Sequence, residues 1–159
     1  MNSLAEFEIQ YHTDQSTQKM IADDFQAVSG VGFDNCGGAI DGILIWMEKP
    51  SQIDAQECGL SQKKLLCARK NKFGFNMQAV SDCRGMILDL SINYGGASAE
   101  IIAFEASDLY DKLEKGLLHN SRLALFGDNA YVNKSYMATP FPNVSSGGED
   151  TYNFYHSQL

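Results

Sequence analysis

Gly37-Gly38-Ala39-Ile40-Asp41-Gly42-Ile43-Leu44-Ile45-Trp46-Met47 is a nearly continuous apolar run, opened by glycines and followed closely by Pro50. A short run of this kind suits a central strand buried on both faces. Asp41 is its one charge, and a lone carboxylate in a buried strand needs a compensating partner. Downstream, Leu123-Ala124-Leu125-Phe126 reads as a second short buried strand that ends at Gly127-Asp128-Asn129. Asp41 and Asp128 each stand beside a glycine, which leaves room for an ion or a phosphate near the backbone. If the two strands are neighbours in one sheet, the two carboxylates converge. Hard cations such as Mg²⁺ or Mn²⁺ prefer oxygen ligands, and one or two carboxylates plus waters suffice for Mg²⁺. The bland alternative is that both aspartates satisfy turns or cap helices, as strand-end aspartates commonly do.

The pattern around these strands is that of a mixed α/β domain. Ser16 to about Val28 has helical spacing (Met20, Ile21, Phe25, Val28) and is ended by Ser29-Gly30. Phe7, Ile9 and Tyr11 alternate weakly before it, and residues 1–36 form a helical lead-in. Residues 51–66 are polar. Phe73, Phe75, Met77 and Ala79 then share one face of a strand, Asp82-Cys83-Arg84-Gly85 turns, and Met86, Leu88, Leu90 and Ile92 share a face of the returning strand. Ser98 can N-cap one helix carrying Ile102, Leu109, Leu113 and Leu117, with an Asp111–Lys115 pair and Gly116 as terminator. A short helix or turn at Lys134–Met137, a loop from Pro140 to Gly148 and a stretch from Asp150 to Leu159 complete the chain.

Composition narrows the function classes. At 159 residues and 44% hydrophobic the chain suits one globular core, and no apolar run is long enough for a transmembrane helix. The start, MNSLAEFEIQ, has neither part of a secretory signal, which predicts an intracellular protein. Cys36, Cys58, Cys67 and Cys83 show no CxxC spacing, and His12, His119 and His156 are scattered, so free thiols are favoured over a zinc site or a disulfide framework. A formal net charge of −8 argues against a protein that grips nucleic acid unaided, although a cation site needs surplus carboxylates. Lys70 and Lys72 could contact phosphate, with solvated strand-flanking charges the commoner reading, and Trp46 is expected in the core.

Four ordered segments carry a resemblance to a known family. Gly38-Ala39-Ile40-Asp41-Gly42 resembles the first catalytic strand of PIF/Harbinger-type transposases, the DDE superfamily endonuclease group. Arg69 to Asp82 is similar to that family's "RKxxxSxNxQAVxD" strand, Asn93 to Ser98 to its "YPGSxHD" turn, and Leu125 to Tyr131 to its "LLGDxxY" segment. The resemblance implies a ribonuclease-H-like mixed sheet with flanking helices, residues 37–159 forming the endonuclease domain. It assigns Asp41 and Asp128 as catalytic acids and metal ligands, Asp41 bridging two Mg²⁺ or Mn²⁺ ions about 4 Å apart and Asp128 holding one, for in-line attack on a phosphodiester. It further implies DNA as partner, a separate DNA-binding partner protein, and a nuclear location.

Two departures from the family pattern stand out. The family's third acid is a Glu on a C-terminal helix. Here Asn153 to Gln158 matches the start of that segment and the chain stops at Leu159, so the final helix is expected to be incomplete and the fragment inactive by itself. Glu149 is a possible substitute, although a solvated loop charge is the commoner reading of its Ser- and Gly-rich surroundings. The family's Asp after the glycine turn is replaced by Glu100, read here as a helix N-terminal charge and not as catalytic. The alternative function is a non-catalytic, domesticated remnant that serves as an interaction protein. A small-molecule hydrolase or nucleotide-binding domain would need a nucleophile–His or P-loop signature, and neither is visible.

Overall fold

The computed structural model describes residues 9–30, 32–119 and 121–159; Phe7 of the early alternation lies outside them. Twelve elements follow in order among the described residues: α1 (Gln15–Val28), β1 (Cys36–Met47), α2 (Gln52–Glu57), α3 (Gln62–Leu65), β2 (Leu66–Cys67), β3 (Lys72–Ser81), β4 (Ile87–Gly95), α4 (Glu100–Glu105), α5 (Asp108–Glu114), β5 (Ala124–Phe126), β6 (Met137–Ala138) and α6 (Gly147–His156). The sheet runs β2-β3-β1-β5-β6, and β4 pairs with β3. β1, β3 and β4 form an antiparallel meander, whereas β5 and β6 add in parallel. This is the mixed α/β arrangement, with a mixed sheet and flanking helices, that a ribonuclease-H-like domain requires.

Strand alternation explains what covers each face. Ile40 and Gly42 of β1 pair with Val80 and Gln78 of β3, so these side chains share one face. Glu100 of α4 and Tyr131 reach that face, Tyr131 donating to Gln78 Oε1 at 2.6 Å. Ala39 pairs with Ser81 on one side and Phe126 on the other, and Phe126 meets Phe33 and His156 of α6. The core gathers Phe25, Ile40, Val80, Phe104, Leu113, Leu125 and Met137 around the β1–β5 pairing. Each such side chain contributes about 1.5–3 kcal/mol on burial.

Several local expectations need correction. β1 is buried only at its start: Asp41, Ile43, Ile45 and Trp46 are exposed, because β5 pairs no further than Ala39 and the rest of β1 extends beyond it. Trp46 is 63% exposed rather than part of the core. In β3 the more deeply buried side carries Asn76 and Gln78, while Phe73, Phe75 and Met77 are only half-buried. This inversion is stable because the amides bond to one another, Gln78 Nε2 to Asn76 Oδ1 at 2.8 Å, and Asn76 Nδ2 donates to Ser98 O. The single helix expected after Ser98 is two helices. The N-cap is Ala99, without a side-chain bond, and Ser107 starts α5 by accepting from Tyr110 N. The Asp111–Lys115 ion pair is absent among the described residues, Lys115 being the C-cap of α5.

On α1 the buried residues are Gln18, Ile21, Ala22 and Phe25, whereas Met20 and Val28 face outward. Lys134–Met137 is a turn that leads into β6. The four cysteines are free.

α6 is where the loop expectation for Glu149 fails. Ser146 caps the helix by accepting from Glu149 N, and the Glu149 carboxylate accepts from Ser145 N and Ser146 N in return. Glu149 is thus committed to the cap. At the other end, buried His156 stacks on Phe126 and donates from Nε2 to Ala138 O at 3.1 Å. Burial holds its imidazole below the ordinary value of 6.5. The unfolded chain therefore takes up this proton first on acidification. The stability is fully present above about pH 6.5 and is lost as the pH falls from there through the depressed folded value. Thermal melts of the wild type should fall more steeply between pH 6.5 and 5 than those of His156→Gln; identical slopes would show that this ring carries no such linkage.

Candidate metal centre

Asp41 and Asp128 are brought together by register. Ala39 pairs with Phe126 across the parallel β1–β5 ladder, and each aspartate lies two residues further along its own chain. Along β1 two residues is one full alternation, and Asp128 lies just past the end of β5, so the pairing sets the two aspartates at corresponding positions of neighbouring segments. The condition that the two strands are neighbours is met. Both residues are exposed, so the compensating partner that a buried Asp41 would need is not required.

The two carboxylates are held in the same way. Asp41 Oδ1 accepts from Gly42 N at 2.7 Å, and Asp128 Oδ1 accepts from Ala130 N at 2.8 Å. Among the described residues, each leaves its other oxygen without a protein partner. Two oriented, solvent-facing carboxylates with spare lone pairs suit a hard divalent cation that keeps part of its water shell. The donor set fits Mg²⁺ or Mn²⁺ in type. No group of three His, Cys, Asp or Glu residues converges on one ion among the described residues.

Glu100 is the residue whose importance here was not visible in sequence. It does begin α4, as expected. Its side chain, however, lies across Gly42, where an added Cβ would stand 2.5 Å from the Glu100 Cγ. Burial raises its carboxyl above the ordinary 4.5, and the charges of Asp128 and then Asp41 add to the effect. Arg69 opposes it with a guanidinium 3.5 Å away. Glu100 thus adds negative potential near both aspartates, but across β1 from the Asp41 side chain. The available signal was Gly42 itself, since a glycine inside a strand often marks a close approach. Gly42→Ala should leave the fold intact and push Glu100 off the strand, a change visible as altered chemical shifts at Glu100 and Arg69. Unchanged shifts there would show that the contact is not tight.

Asp82, the other strand-end acid, serves the hairpin as expected: its Oδ1 accepts from Arg84 N and Met86 N. Hydrogen bonds at the turn lower its carboxyl against the opposing effect of burial.

Comparison with known proteins identifies the family of the chain. The family model described as "DDE superfamily endonuclease" matches residues 40–159, about three-quarters of the chain, a stretch that includes both aspartates. Among curated proteins, "Putative nuclease HARBI1" of Mus musculus is 24% identical over 149 residues, and its Homo sapiens and Bos taurus counterparts are 23% and 22% identical. Each alignment covers 94% of this chain but 39% of the relative, so the chain spans about two-fifths of those proteins' length. No solved structure gives a significant match. The chain belongs to the DDE superfamily endonuclease family.

Proposed function

We propose that this chain is the metal-binding part of a DNA endonuclease or transposase catalytic domain, with Asp41 and Asp128 as ligands of Mg²⁺ or Mn²⁺. The supporting observation is the parallel β1–β5 register, in which Asp41 and Asp128 each follow the paired couple Ala39 and Phe126 by two residues. When bound, divalent ions would activate an attacking water or 3′-hydroxyl and stabilise the leaving oxygen in phosphodiester cleavage or strand transfer. The protein's own part is orientation. Gly42 N and Ala130 N fix one oxygen of each carboxylate, and Glu100 deepens the negative field that draws a cation in. The buried amides Gln78 and Asn76 support the strand beneath.

In this reading residues 37–159 act as the catalytic module, a third acid belongs to chain following α6, and a separate DNA-binding protein supplies target affinity in the nucleus. The acidic balance of the chain supports that division of labour. The test is nicking of supercoiled plasmid by a chain extended to the length of its relatives. Nicking that requires Mg²⁺ or Mn²⁺ and stops with chelator is expected; metal-independent nicking, or none with either ion, would contradict the proposal.

A further inference from the structure

The twelve basic residues are unevenly spread. Lys63, Lys64, Arg69, Lys70 and Lys72 fall within ten positions that contain no acid, in a chain of net charge −8. All five side chains are exposed. Among the described residues, Lys63, Lys64, Lys70 and Lys72 form no ion pair, and Arg69 forms only the 3.5 Å contact with Glu100. Uncompensated cations held close together repel one another, so an acidic protein that concentrates them provides a place for an anionic partner.

Their placement specifies the partner. Arg69 and Lys70 line a cleft of about 430 Å³ together with Gly42, Leu44, Ser98 and Glu100. This end of the strip meets Glu100, which packs over Gly42 of β1. At the other end the Lys72 ammonium lies 4.4 Å from the centroid of the exposed Trp46 ring. Trp46 is four residues along β1 from Gly42 and on the same face, a span of about 13 Å at ~3.3 Å per residue. A nucleic-acid strand rises about 3.4 Å per nucleotide, so about four nucleotides cover it. Exposed cations suit the phosphates of such a strand, and an exposed indole beside them offers a surface for a sugar or a base.

We infer that the strip from Arg69 and Lys70 to Lys72 and Trp46 is a binding track for the DNA backbone on the Gly42 and Glu100 face of β1. The inference rests on the nuclease reading for the identity of the strand, but the track binds without metal. Arg69 and Lys70 hold phosphates at the cleft beside Glu100, Lys72 holds a distal one, and Trp46 packs on the strand beside it. Asp41 and Asp128 take no part in this affinity.

The experiment is fluorescence anisotropy of the unmodified chain with a labelled 30-base-pair duplex, and in a second arm its single strand, in EDTA from 25 to 200 mM salt. Binding at low salt is expected. Each of Arg69→Gln, Lys70→Gln and Lys72→Gln should lower the log–log salt slope by about 0.9 on duplex or about 0.7 on the single strand. Trp46→Ala should weaken the single strand by about tenfold. Lys19→Gln, an exposed cation on α1, should change neither slope nor affinity. Acetylation of the wild type, read by mass spectrometry, should show Lys70 and Lys72 protected by DNA and Lys19 not, whatever the variants do to folding. Absence of binding at 25 mM salt, unchanged slopes in all three basic variants, or protection confined to other lysines would overturn the inference. If Asp41→Asn leaves metal binding intact while the strip behaves as expected, it is the reading of the acid pair that fails.

Discussion

Asp41→Asn, in a chain extended to the length of its relatives, is expected to lower Mg²⁺-dependent DNA nicking by about a thousandfold or more, roughly 4 kcal/mol at about 1.36 kcal/mol per decade. The substitution is nearly isosteric. An asparagine oxygen can still accept from Gly42 N, as Asp41 Oδ1 does at 2.7 Å, so the strand has no reason to move. What disappears is the charge and a strong oxygen ligand. Asp128→Asn should behave alike, because its carboxylate has the same arrangement: one oxygen on Ala130 N, the other free of protein partners among the described residues. Two ligands of one centre act as a unit, so the double variant should be little worse than either single one. Single-turnover nicking measures all three. Rates within threefold of wild type in both single variants would remove Asp41 and Asp128 from the chemistry.

Gly74→Val should have the largest effect on the fold. Gly74 faces Trp46 in the β1–β3 ladder, and an added Cβ would stand 2.2 Å from the Ile45 carbonyl oxygen. Backbone in a central ladder cannot step aside as a flexible side chain can, so the two strands must separate locally. A cost of about 3 kcal/mol or more is expected, against a total stability of about 5–15 kcal/mol for a domain of this size. Chemical denaturation should show the loss as a lowered midpoint, and insoluble protein would be its extreme form. A midpoint unchanged from wild type would mean that β1 and β3 are less closely apposed near Gly74 than described.

The parts of this architecture legible in the sequence were those written in short-range pattern. The apolar run around Asp41, the Asp82 turn and the ordered family motifs each identify themselves locally. Register was not legible, because whether β1 and β5 are neighbours depends on pairings between residues about 85 positions apart, such as Ala39 and Phe126. The burial of β1 was misjudged for the same reason: apolar content cannot show that a partner strand ends early and leaves Ile43, Ile45 and Trp46 uncovered. Asn76 and Gln78 inverted the expected inside and outside of β3, because a mutually bonded amide pair can be buried where unpaired amides could not. Glu100 was readable as a helix start, but its proximity to the acid pair follows from the packing of α4 over Gly42, which is a tertiary fact.

These findings separate two uses of acidic residues in one family domain. Glu149 caps a helix and Asp82 closes a turn, one carboxylate oxygen of each accepting from two backbone N–H groups. Asp41 on β1 and Asp128 just past β5 are exposed, and one oxygen of each accepts from a single backbone N–H. The central claim is that their other oxygens bind one divalent centre together. Titration of Mn²⁺ into the 159-residue chain, followed by the loss of the free-ion electron paramagnetic resonance signal, tests it directly. Weak saturable binding that is lost in Asp41→Asn and equally lost in Asp128→Asn is the predicted result. Binding that survives both substitutions unchanged would contradict it.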